Sequence, residues 1–247
     1  MAFGIKITNP IGELLLSDLT YFPVYLGRAT FVSTTQPVGV GSASTGTGTG
    51  GSSALTFNYA GQIVPVLALP SGFKGAIYSC TQAGSTWTIR ASYTDGTAVT
   101  DLTSPAASMY IQSAPTVFVF GFPLSLGGTF GGAIYNAAGA LVGDLTRQPL
   151  VIRQRVFIPA AVNTASVPAL TLPGIVGRAT DTQINAFPTG VPEISRVLYR
   201  NTIFSVAGTT MTRNLDRRLL RNTGIDGGDI TNINATNLWL VECSGLA

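Results

Sequence analysis

Gly4-Ile5-Lys6-Ile7-Thr8-Asn9-Pro10-Ile11-Gly12-Glu13-Leu14-Leu15-Leu16 reads as strand, turn, strand, because Asn, Pro and Gly separate two apolar-rich runs. The pattern returns past the midpoint. Ala133-Ile134-Tyr135-Asn136-Ala137-Ala138-Gly139-Ala140-Leu141-Val142 keeps Asn, Gly and Leu at the same relative places. Beyond the turn, Asp18-Leu19-Thr20-Tyr21-Phe22-Pro23 corresponds to Asp144-Leu145-Thr146-Arg147-Gln148-Pro149, and Phe31 then falls on Phe157. Pro65-Val66-Leu67-Ala68-Leu69-Pro70 is echoed by Pro168-Ala169-Leu170-Thr171-Leu172-Pro173, and Val117-Phe118-Val119-Phe120 by Leu238-Trp239-Leu240-Val241. These matches predict a tandem duplication, 1–126 and 127–247. Its period exceeds the roughly 20–50 residues of solenoid repeats, so each copy is expected to be a domain with its own core.

Composition points to β structure throughout. The chain has 29 glycines in 247 residues, and its short apolar runs are rich in Val, Ile, Phe and Tyr, which suit a pleated, half-buried surface. Only 10% of residues are charged, against about 25% in an average soluble domain. Something other than water is therefore expected over part of the surface. Residues 102–143 carry no charge, but prolines and glycines break them well short of the ~20 apolar residues of a spanning helix. No membrane span is expected. The N-terminal residues lead straight into a strand pattern, so no signal peptide is expected either, and synthesis in a cytoplasm is expected. Cys80 and Cys243 are expected as free, buried thiols. With a membrane set aside, contact between subunits is the expected cover.

Strands are expected at 24–32, 62–69, 75–80, 86–93, 108–113, 115–122, 150–158, 166–172, 194–207 and 237–243. The Gly/Ser/Thr tract 41–53, present in the first copy alone, reads as a flexible loop. In Leu150–Ile158, Arg153 and Arg155 are expected on one face, with Ile152, Val156 and Ile158 on the other. Residues 212–221 read as the one short helix, with Leu215 and Leu219 spaced i, i+4.

Catalytic readings fail one after another. The chain has no histidine, which excludes the usual Ser-His-Asp and Cys-His arrangements and the commonest zinc ligand. Asp226 and Asp229 lie among glycines, where a turn is expected rather than glycoside cleavage or calcium binding. No enzyme activity, cofactor or metal is expected. The first half carries four basic and four acidic residues, whereas the second carries ten arginines and seven acids. A surplus of three charges, with Asp216 inside the arginine group, argues against nucleic acid. Arg153, Arg155, Arg213, Arg217, Arg218 and Arg221 are the candidate partner contacts, since a planar guanidinium pairs bidentately. Phe118 and Phe120 could join them but read better as core. A sugar-binding module would instead need exposed Trp87, Tyr93 or Tyr110.

The opening Gly-Ile-Lys-Ile-Thr-Asn-Pro-x-Gly-Glu-Leu-Leu-Leu-Ser-Asp, with its echo at 133–158, resembles small β-rich proteins of bacteriophage and prophage tail modules. The resemblance covers Gly4 to Val32 and Ala133 to Ile158, and this chain departs from it by carrying two copies. It implies a virion component at the tail tip, baseplate or fibre attachment. The expectation is thus an all-β chain of two tandem antiparallel β-sandwich domains, acting as a homo-oligomeric structural subunit of a phage tail. A capsid decoration protein, or a module recognising a host surface glycan, is the alternative.

Overall fold

The computed structural model describes residues 6–8, 14–17, 22–36, 48–49, 51–97, 110–125, 127, 132–136, 138–160, 162–177, 183–188, 195–223 and 235–246. The chain is all-β with antiparallel pairing throughout. Its first half contributes β1 (Lys6–Thr8), β2 (Leu14–Ser17), β3 (Val24–Arg28), β4 (Thr30–Thr35) and β5 (Gly48–Thr49). These are followed by β6 (Ser52–Asn58), β7 (Ile63–Ala68), β8 (Lys74–Ala83), β9 (Thr86–Thr94) and β10 (Val117–Gly121). The second half adds β11 (Ala133–Tyr135), β12 (Leu141–Asp144), β13 (Ile152–Ile158), β14 (Thr164–Ser166) and β15 (Pro173–Val176). It ends with β16 (Gln183–Pro188), β17 (Ser195–Ala207), β18 (Thr210–Thr223), β19 (Thr236–Glu242) and a 3-10 turn, Ser244–Leu246.

Both expected hairpins form, β1 with β2 and β11 with β12. The second shows why its turn residues matter. The Asn136 side-chain oxygen accepts from the backbone N–H groups of Ala138 and Ala140, and Gly139 takes the positive φ of +77° that closes the turn. The Asp-Leu-Thr that follows is a second local lock. Asp144 is fully buried, and its carboxylate accepts from the N–H and hydroxyl of Thr146 and the N–H of Gly127, with Arg147 Nε at 3.2 Å.

The expected single strand over 24–32 is instead two. Gly27 has φ +145°, and the break at Ala29 sends β3 into one sheet and β4 into the other. The helix expected at 212–221 is also overturned: Thr210–Thr223 is one strand, paired along its length with β17. Leu215 and Leu219 fit a helical spacing, but they equally fit strand alternation. A long β17 rich in Val, Leu, Ile and Phe offers the ladder that settles the choice. Over 167–172 the chain runs without strand pairing between β14 and β15, so the expected strand there does not form. Residues 110–113 likewise form no regular strand; Ser113 N–H reaches Tyr93 O.

The two halves do not build separate sandwiches. One sheet runs β13-β19-β15-β7-β10-β3, and the other runs β14-β18-β17-β8-β9-β6-β4. In each, strands from one half occupy one end and strands from the other half the opposite end. They join at the middle through β15 with β7 and through β17 with β8. The matched Val117–Phe120 and Leu238–Val241 lie in β10 and β19, each second from an end of the six-stranded sheet, whereas the segment matched to Pro65–Pro70 leads into β15. Pro23 and Pro149, matched in sequence, meet as well. Val24 bridges Pro149, Tyr25 N–H donates to Gln148 O, and Leu150 N–H donates to Pro23 O, so the outer strands of this sheet approach each other. The duplication remains a reading of the sequence, whereas the shared sheets are the observed architecture.

The main core lies between the sheets and draws on both halves. Leu55, Ile89, Ile203, Phe204 and Met211 face Leu67, Val117, Val156, Ile158, Leu238 and Leu240. Each such side chain contributes roughly 1.5–3 kcal/mol on burial. A second cluster uses the opposite face of the six-stranded sheet: Val66, Phe118, Phe120 and Val241, with Tyr25 and Leu150 packed against them and Leu246 from the terminal turn. Phe118 and Phe120 are core, as expected.

Candidate interaction surface

Residues 150–158 place the candidate surface. Before β13 the chain is tied to β3, and along β13 it pairs with β19. Val156 and Ile158 are buried in the main core, opposite Leu238 and Thr236. Arg155 and Phe157, which alternate with them, are exposed opposite Trp239 and Asn237. Directly opposed residues share a sheet face, with diagonal neighbours about 7–8 Å apart. Arg155, Phe157, Asn237 and Trp239 therefore form one patch. Phe157 is 55% exposed and Trp239 39%. A guanidinium N–H of Arg155 donates to Asn237 Oδ1 at 3.2 Å, which holds the arginine along the sheet.

Arg153 is exposed too, but a register shift separates it from this alternation. The irregularity between Ile152 and Gln154 also moves Ile152 out of phase, so it is half-exposed rather than buried with Val156 and Ile158. The expected sharing of faces holds for Val156 and Ile158 and fails for Ile152.

The remaining arginines do not join the patch. Arg213 is buried, and its guanidinium donates to Pro159 O, Ala160 O and Val162 O at 3.1, 3.0 and 2.5 Å, and to Asn163 Oδ1. It fixes the turn that leads from β13 to β14, so it is an internal clamp instead of a partner contact. Arg217, Arg218 and Arg221 lie in the backbone of β18, with side chains outside the described residues. Asp226, Asp229 and residues 41–47 and 50 lie outside them as well, while the rest of the tract expected as a flexible loop is strand at Gly48–Thr49, paired with β18, and at Ser52–Ser53, which open β6.

The aromatic residues expected for sugar stacking are otherwise engaged. Tyr93 is buried and stacked on Phe73 with ring centroids 4.9 Å apart, and burial pushes its hydroxyl up to about 12. Trp87 is half-buried, its indole N–H shared between Tyr59 O and Gly61 O. Tyr110 is half-buried, with Lys74 Nζ 5.3 Å from its ring centroid. Trp239 is the exposed tryptophan, and its alternation with buried Leu238 and Leu240 was the signal that could have found it.

Electrostatics beside the patch is structural. Burial alone would raise the Glu242 carboxyl, but N–H groups of Leu172, Ser244 and Thr171 outweigh it and hold the group below its ordinary range. Glu242 thereby staples the 171–172 segment to the C-terminal turn. The two cysteines are free, Cys243 buried and Cys80 half-buried. Burial, with help from the Glu242 charge, pushes the Cys243 thiol up to about 12, the reverse of what a reactive thiol requires.

Among the described residues there is no group of three or more His, Cys, Asp and Glu able to hold a metal. No helix among the described residues is long and apolar enough to cross a membrane. What the patch offers is planar, aromatic and hydrogen-bonding. No known protein-family model, curated protein or solved structure matches this chain.

Proposed function

We propose that this chain is a structural subunit of a bacteriophage particle, seated at the tail tip, baseplate or fibre attachment. It works by packing against other virion proteins and against its own copies. The supporting observation is the exposed patch of Arg155, Phe157, Asn237 and Trp239 in a chain with only 10% charged residues. Tryptophan and arginine are the residues on which protein contacts most often depend. The tail placement rests on the resemblance of the opening hairpin. Assembled in the host cytoplasm, the subunit would be read out in purified particles. Immunogold labelling is expected at the tail tip or baseplate; label over the head would move the chain to capsid decoration, and unlabelled particles would remove it from the virion. The double substitution R155A/F157A should keep the fold and lower the amount of chain carried per particle.

One observation favours a second reading, recognition of a host glycan. Trp239 is exposed beside Asn237 and Arg155, the pairing of an aromatic face with planar hydrogen-bonding groups that sugars use. Host polysaccharide should then change the tryptophan fluorescence of the native chain and leave W239F unaffected.

A further inference from the structure

β4 ends the nine-stranded sheet and pairs only with β6 among the described residues. Nearly all its residues are exposed, including Phe31 at 43% and Val32 at 57%. An edge strand of this kind presents a row of unpaired backbone donors and acceptors. Natural proteins guard such rows with lysine, proline, shortness or a covering element. The other strands that end the two long sheets follow that practice in some measure. β14 has three residues, β13 carries Arg153 and Arg155, and the start of β3 is covered by residues 148–150. Thr30-Phe31-Val32-Ser33-Thr34-Thr35 has neither charge nor proline over six residues. Its one irregularity is the register shift between Phe31 and Ser33, which leaves Val32 outside the β6 ladder.

We propose that two copies of this chain join through β4, strand against strand and antiparallel, so that the nine-stranded sheet continues across a two-fold axis. This rests on the packing reading above and names its surface. A second copy fits because the strand suits itself. Laid antiparallel about its own middle, it sets Thr30 near Thr35 and Phe31 near Thr34, pairs of β-branched, aromatic and hydroxyl side chains that stabilise sheets. No charge meets a like charge. β13 treated the same way about Gln154 would set Arg153 opposite Arg155. The chain also makes this kind of join internally, since β7 with β15 and β8 with β17 unite its halves by antiparallel pairing at the middle of each sheet. Pairing through β4 continues the nine-stranded sheet at its far end.

Sedimentation velocity on the full chain, at concentrations up to about 100 µM, tests this. The native chain should reach a dimer of twice 25.6 kDa. V32K brings two ammonium groups together beside the axis and should weaken the dimer at least about tenfold. Far-UV circular dichroism and the thermal midpoint should not change, because Val32 is exposed and lies outside the β6 ladder. A native chain that stays at 25.6 kDa overturns the proposal, as does a V32K chain that keeps the dimer mass. The two readings fail differently: if R155A/F157A abolishes the dimer and V32K does not, β4 is excluded while packing through β13 stands.

Discussion

Phe31 and Phe157 hold matching places in the two halves, and both are exposed, but their neighbours diverge. Val32 is 57% exposed, whereas Ile158 is fully buried. β4 ends the nine-stranded sheet with β6 alone beside it among the described residues, while β13 lays Val156 and Ile158 into the main core. Matched residues therefore do different work according to the sheet position each receives. One strand is free to meet a partner, and the other is committed to holding the two sheets together with one exposed face left over.

The largest expected effect tests that contrast directly. I158A should cost about 2–4 kcal/mol in chemical denaturation, through lost burial and a cavity, while V32A should stay within about 0.5 kcal/mol. Equal costs would mean that β4 is covered after all. Nearly as large is R213A. Removing the clamp of the 159–163 turn strands several carbonyl oxygens, and a loss of about 3 kcal/mol is expected. A neutral result would show that water replaces the guanidinium there.

A gain is expected at Thr202, which is fully buried with a hydroxyl that has no hydrogen-bond partner. T202V keeps the shape and removes the orphan group, so it should stabilise the protein by about 1 kcal/mol. A loss would mean the hydroxyl is satisfied in solution.

The smallest effect is the pH dependence that Asp144 and Glu242 contribute. Burial alone would raise Asp144 and Glu242, yet their hydrogen bonds prevail and both stay below their ordinary values. A depressed carboxylate stabilises the fold above its unfolded pKa, near 4, and that contribution is lost as pH falls through the folded value. Stability should therefore drop below about pH 4, and D144N/E242Q should lose stability at pH 7 while showing a shallower acid decline. An unchanged slope would assign acid unfolding to other groups.

Much of the local structure was legible because its causes are local. Asn136 and Gly139 make a turn wherever they stand, and Asp144 with Thr146 closes the next one through bonds between residues two apart. One local signal went unread. Ala83-Gly84-Ser85-Thr86-Trp87-Thr88 and Ala207-Gly208-Thr209-Thr210-Met211-Thr212 are near repeats. In both, Gly84 at φ +61° and Gly208 at φ +56° open two-residue hairpin turns. Reading the second as a hairpin would have replaced the helix with β18. The patch was half legible: alternation placed Arg155 opposite in face to Val156, but only pairing with β19 put Trp239 beside it.

The sequence by itself determined an all-β chain, its turns and most of its strands, because turn chemistry and two-residue alternation act over a few neighbouring residues. Tertiary structure alone decided that the halves share their sheets and their main core. The contacts that join them, Ile175 with Leu67 and Phe204 with Gly75, link residues more than a hundred positions apart, where the choice of partner is set by the whole buried surface rather than by any local pattern.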